Sequence, residues 1–197
     1  VYRQTQAGAL FATIATPMDI PIPLKYSKKV SNVKIMRQVL LNPPIVLDLP
    51  MNKRTGNFLR VEKNPIDFID IQYEKWLCYP VKVGELTILT YIHEMFYELG
   101  FSMANLYKLA SNEDLLEKPD GLFFFGVQNE DLDLIAKYPT IFYDDQENDM
   151  LIGAIPGKPE YGYFGYLKKM LLSLHNVKML HKLRLPFHGS LIRILME

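Results

Sequence analysis

The chain has a single cysteine among 197 residues, Cys78, which excludes an internal disulfide and any metal site built from several thiolates. One unpaired thiol fits a reducing compartment, most simply the cytoplasm. No apolar run reaches the roughly 18 to 20 residues that a membrane-crossing helix needs. Charge of one sign is missing too: 22 basic residues balance 22 acidic ones, leaving no global field to draw in nucleic acid or an anionic membrane. Neither is expected as a partner. The opening stretch, VYRQTQAGALFATIATP, lacks a basic segment followed by a continuous apolar one, so it does not read as a signal peptide. There is no internal repeat, low-complexity tract or Gly/Ser linker. The chain starts at Val1 without an initiator Met and stops inside an apolar run, 190–196, which reads as a piece of a longer protein.

What is present is core. With 49% hydrophobic and 12% aromatic residues, the chain has enough apolar surface to bury a substantial interior. Residues 8–16 read as a strand stopped by Pro17. Apolar groups at 30, 33, 36, 39 and 40 fall close to a helical period, predicting a helix over 30–41. A short strand is expected at 45–49 and a turn at 51–57. The stretch 68–92 is β-rich, with breaks expected at Pro80 and Gly84. A helix is expected within 93–110, with Ala104, Leu106 and Leu109 inward. GLFFFGV (121–127) has the composition of a buried strand. A short helix over 130–137, a hairpin of 140–143 with 150–155, a long helix over 163–182 and a final strand over 189–196 complete a mixed α/β or α+β chain.

The long helix carries two stripes. Leu167, Met170, Leu171, Leu174 and Val177 form the core-facing set. Tyr166, Lys169, Ser173 and Asn176 form a second, which on a surface helix is ordinarily the solvated face. The exit makes the segment a functional candidate, because Pro186 and Phe187 carry His188 to the mouth of the expected strand. Open α/β sheets commonly present side chains to ligands at such a position.

With Tyr163, Gly165, Lys168, Lys169 and Asn176 in place, the stretch resembles the phosphoenolpyruvate carboxykinases, especially the ATP-dependent branch. Their motif runs Y-x-G-E-M-K-K-x(6)-N and then M-H-C-S-A-N. Tyr163 stands six positions before Lys169 and His188 nineteen after it, both at the family's intervals. The likeness covers about 35 of the 197 residues, and its specificity lies in the combined spacing. The entry HGSLIRI is also similar to the strand before the nucleotide loop of HPr kinases.

The resemblance implies a fold and roles. It implies a mixed α/β N-terminal domain over 1–160 and, over 161–197, the start of the nucleotide- and metal-binding domain. It implies that Lys169 and His188 bind a catalytic divalent metal, manganese or magnesium. It further implies that Lys168 binds substrate or phosphate charge and that Tyr163 packs against bound phosphoenolpyruvate or carbon dioxide. The substrate would be a small molecule, oxaloacetate or phosphoenolpyruvate, with ATP as second reactant. A lysine ligates a metal only as the neutral amine, so its pKa would have to fall well below about 10.4. A nearby cation and a second ammonium push it that way.

The chain departs from the family at Tyr166 and Leu167, where the motif has Glu and Met, and at 189–192, where Gly, Ser, Leu and Ile replace C-S-A-N. No G-x-x-x-x-G-K-[ST] occurs. The family's nucleotide loop and metal-binding aspartate follow the histidine, so both are expected beyond Glu197, and the chain alone is expected not to turn over. The alternatives are an HPr-kinase-like kinase acting on another acceptor and a non-catalytic regulatory domain of the same fold.

Other candidates have plainer readings. DDQEND (144–149) offers carboxylates to a hard cation but lacks EF-hand spacing and sits at an expected turn. Lys53 and Arg54 of NKRTGN read as an exposed turn. His93 reads as a core or edge histidine, and His175 and His181 as surface. Cys78 reads as a small buried hydrophobe. The aromatic runs read as core, for want of a basic surround.

Overall fold

The computed structural model describes residues 2–5, 8–15, 19–41, 58–128 and 140–187. The elements expected at 45–49, 51–57, 130–137 and 189–196 lie outside them, as does His188. Ten strands of the described residues form one mixed sheet: β1 (Tyr2–Thr5), β2 (Gly8–Ala15), β3 (Lys34–Leu41), β4 (Leu59–Arg60), β5 (Trp76–Val83), β6 (Leu86–His93), β7 (Lys108–Leu109), β8 (Gly121–Val127), β9 (Ile141–Asp145) and β10 (Met150–Pro156). Their order is β1-β2-β3-β5-β6-β8-β10-β9-β4, with β7 beside β3 on the same edge of β5. Strands β6, β8 and β10 run parallel at the centre, and β5 and β9 flank them antiparallel. Among the described residues three α-helices accompany them: α1 (Leu24–Val30), α2 (Tyr97–Ser102) and α3 (Phe164–His181). The class is mixed α/β. Among the described residues no helix is long and apolar enough to cross a membrane.

The central strands are buried on both faces, and this is why they read as continuous apolar runs. Leu77 and Tyr79 of β5, Ile88 and Ile92 of β6, Phe123 and Phe125 of β8 and Leu151 and Ile155 of β10 share one cluster with α2 and α3. The alternate residues Trp76, Cys78, Leu89, Tyr91, Leu122, Phe124, Ile152 and Ala154 share the other. That second layer is closed by Tyr26 and Val30 of α1 together with Ile66 and Ile69. Gly153 lets α3 come down onto β10: a Cβ there would stand 3.1 Å from the Met170 Sδ. The helix therefore joins the sheet's own core through Leu167, Met170, Leu171 and Leu174.

Three expectations are corrected. The apolar period over 30–41 belongs to a strand, not a helix. Pairing with β2 slips between Thr13 and Ile14, so that Thr13 faces Gln38 while Ile14 faces Met36, and Arg37 is the extra residue of a β-bulge. The insertion puts Met36 and Val39 on the same cluster three positions apart, which imitates a helical step. Pro80 does not break β5, which runs on to Val83. Its carbonyl accepts from the Ala110 N–H at 2.8 Å, on the edge where pairing with β3 has ended at Cys78 and pairing with β7 starts at Val81. The missing proline N–H faces that gap, where no ladder bond is required. In 93–110 the α-helix lasts six residues and passes into a tighter 3-10 turn at Met103–Asn105. The change of winding turns Leu99, Phe101 and Met103 inward and leaves Leu106 exposed.

Candidate functional site

Helix α3 forms where the apolar positions 167, 170, 171 and 174 supply one stripe over a buried sheet face. Lys178 and His181 stand in its last turn, where the helix dipole favours cations. The first turn is unusual. It carries no acidic residue, and its N-cap, Tyr163, makes no side-chain cap. The positive end of the helix dipole and the ammonium groups of the second turn thus meet at one end.

That end borders a cleft of about 610 Å³. One wall is Tyr163, Phe164, Gly165, Lys168 and Lys169; the other is Ser102, Asn105 and Leu106. Both walls are built by segments that leave the C-terminal ends of central strands, α2 after β6 and α3 after β10. Ligand crevices of open α/β sheets form beyond those strand ends. The walls are tied together. Tyr107 Oη donates to the Lys168 carbonyl at 3.2 Å, and Tyr79 Oη donates to the Tyr107 carbonyl at 3.0 Å. Burial pushes both phenols up to about 12, so they remain donors.

Three of the four residues singled out by sequence come together here: Tyr163, Lys168 and Lys169. His188 lies outside the described residues. Gly165 has a local role that explains its place beside Tyr163, since a Cβ there would stand 2.1 Å from the Tyr163 Cε1. The tyrosine ring folds back over the glycine and meets Tyr166 edge-on, centroids 6.1 Å apart. Tyr166, read from periodicity as part of the polar stripe, is 2% exposed and belongs to the core. Its aromatic body wins over its hydroxyl because α3 sits lower on the sheet than a surface helix would.

The electrostatics favour an anion. Among the described residues no carboxylate lines the cleft, and neither Lys168 nor Lys169 has a side-chain partner. Other lysines are matched: Lys82 with Asp114 at 2.6 Å, Lys178 with Asp149 at 2.6 Å and Lys182 with Glu85 at 2.7 Å. Among the described residues no three His, Cys, Asp or Glu side chains gather as metal ligands. Of the two nitrogens expected to hold a divalent cation, Lys169 lines this cleft.

Far from the cleft, DDQEND is not simply a solvated turn. Asp144 and Asp145 end β9 and are buried. Asp144 Oδ2 meets Arg60 at 3.2 Å and His181 at 3.3 Å, so His181 is engaged although exposed. Asp145 accepts from the Tyr26 hydroxyl, which in turn accepts from Asn64 at 2.8 Å. His93 is buried, accepts from the Met95 N–H at 3.4 Å and lies edge-on to Trp76. Cys78 is buried, and desolvation pushes its thiol up, which keeps it unreactive. The residues that sequence reasoning missed are Ser102, Asn105 and Leu106, some sixty positions from the lysines. No local signal marks them in the sequence, where Leu106 is expected to face inward; in the structure it is exposed.

No family model, curated protein or solved structure matches the chain.

Proposed function

We propose that this chain is the N-terminal part of an ATP-dependent phosphoenolpyruvate carboxykinase-like protein, which converts oxaloacetate and ATP to phosphoenolpyruvate, carbon dioxide and ADP. In this reading the mixed α/β unit is that fold's N-terminal domain, and the cleft at the start of α3 takes the small-molecule substrate. The observation that carries the proposal is the convergence of Tyr163 with two lysines that have no side-chain partner among the described residues, on a cleft that none of those residues lines with a carboxylate. Lys168 neutralises substrate charge there, and Tyr163 covers the substrate with its ring. Lys169, then as the neutral amine, and His188 would hold the divalent metal, which would supply charge neutralisation in phosphoryl transfer. The nucleotide is gripped by a glycine-rich loop that the 197 residues do not contain.

Thermal unfolding with phosphoenolpyruvate, with and without Mn²⁺, tests the reading. At a hundredfold excess over Kd, a ligand that binds only the folded state adds about 2.7 kcal/mol. The rise in midpoint is expected to vanish in Lys168→Ala and Lys169→Ala. In His188→Ala only the part that depends on Mn²⁺ should go. A midpoint that ignores phosphoenolpyruvate, or a rise that survives both lysine variants, overturns the assignment. In the parent protein, ATP-dependent phosphorylation of another acceptor without decarboxylation of oxaloacetate would move the activity to an HPr-kinase-like reaction.

A further inference from the structure

The two lysines explain why an anion enters the cleft but not how one anion is told from another. An ammonium is a point charge on a flexible stem, and it accepts carboxylates and phosphates in many orientations. Selectivity needs a directional group held in place. The opposite wall supplies one.

Asn105 closes the 3-10 turn that follows α2, and Leu106 comes next. Two buried anchors bracket the pair: Met103, fully buried, on one side and Tyr107 on the other. The Leu106 and Tyr107 N–H groups both bond the Met103 carbonyl, at 2.9 and 2.8 Å, and Tyr107 Oη reaches across to α3. A residue clamped in this way presents its side chain from a fixed point. The Asn105 amide has no hydrogen-bond partner among the described residues, yet it lines the cleft. Beside it Leu106 leaves 49% of its surface open.

We propose that Asn105 is the specificity-determining residue of the cleft, reading a hydroxyl or carbonyl oxygen carried by the bound anion. This rests on the anion-binding reading of the cleft given above, in which Lys168 neutralises the charge with Lys169 beside it, and it adds a residue from a separate element. The amide offers two donors and one acceptor, so it pairs with either kind of oxygen. Leu106 meets the carbon skeleton. A site that holds an oxygen function by a hydrogen bond discriminates against the analogue lacking it, because the polar group of the site is then left unpaired.

Calorimetric titration with L-malate and with succinate isolates this interaction, since the two differ by one hydroxyl. The wild type is expected to bind malate about tenfold more tightly, the ratio that one net hydrogen bond provides. In Asn105→Ala the ratio should fall to within about twofold, with succinate affinity retained and the thermal midpoint unchanged, as befits an exposed side chain. A tenfold preference that persists in Asn105→Ala overturns the proposal, and so does equal binding of the two acids by the wild type. If both acids bind but Lys168→Ala and Lys169→Ala leave that binding untouched, or if neither binds, the lysine reading fails first and this inference falls with it.

Discussion

Leu183 combines two costs in one residue. It is 96% exposed, and it sits at φ +56°, in the left-handed region. The reason is the end of α3. The Leu183 N–H bonds the Leu180 carbonyl at 2.9 Å and the Arg184 N–H bonds the Met179 carbonyl at 2.9 Å, the paired bonds that close a helix through a left-handed residue. Glycine takes that conformation freely, whereas leucine is strained there by about 1 kcal/mol or more. Because the side chain buries almost nothing, its loss removes little packing. Leu183→Gly is therefore expected to raise stability by about 1 kcal/mol, measured as an increase in the urea midpoint at unchanged slope. An unchanged or lower midpoint would mean that the exposed leucine has a packing partner in solution.

At the scale of elements, the far end of α3 is fastened differently from the cleft end. Lys178 is buried, and its ammonium bonds both the Asp149 carbonyl at 2.7 Å and Oδ1 at 2.6 Å. Asp149 lies at φ +48° in the β9–β10 turn, and that ammonium holds its carboxyl below the usual carboxylate range. The helix is thus clipped to the hairpin by a buried cation whose partner is largely exposed. Removing the carboxylate leaves the ammonium with only the carbonyl, and stranding a buried charge is costlier than losing a pair. Asp149→Asn keeps the shape and tolerates the left-handed backbone, so it isolates the charge. It is expected to cost about 2 kcal/mol. The same change in a Lys178→Met background should cost less than 0.5 kcal/mol, on the order expected for an uncoupled surface site. Equal costs in both backgrounds, read from denaturant curves, would show that the clip contributes nothing.

Elements also mark where sequence reasoning succeeds and where it stops. GLFFFGV was legible because a strand buried on both faces has no polar alternation to disguise it. The core stripe of α3 was legible because its period matches its burial. β3 was misread because the bulge at Arg37 turns a two-residue period into a three-residue one. At the site, Tyr163, Lys168 and Lys169 were legible as a local motif within seven residues of one helix. Asn105 and Leu106 were not, because nothing local links them to α3; only the shared sheet face, and Tyr107 bridging to the Lys168 carbonyl, brings the two walls together.

For the whole molecule, a balanced net charge conceals how many groups are held away from their ordinary ionisation. Burial lowers the pKa of His93, whose ring is enclosed by Trp76 and the end of β6. Lys182 and Arg184 lower Glu85 to about 2, Lys82 lowers Asp114 and Lys178 lowers Asp149. All four shifts act in the same direction. A group whose folded pKa is depressed contributes stability above its unfolded pKa and loses it as pH falls towards the folded value, because the unfolded chain takes up the proton first. The His93 contribution is therefore full above about pH 6.5 and declines below it, while the carboxylate contributions decline only below about pH 4. Stability should fall in two steps on acidification, the first belonging to His93. Urea midpoints taken from pH 7.5 to pH 3 should show both steps in the wild type. In His93→Gln, which keeps an acceptor for the Met95 N–H, the first should be lost and the second unchanged. A first step that survives the substitution would assign it to another group and mean that His93 takes up its proton equally readily in the folded and the unfolded chain.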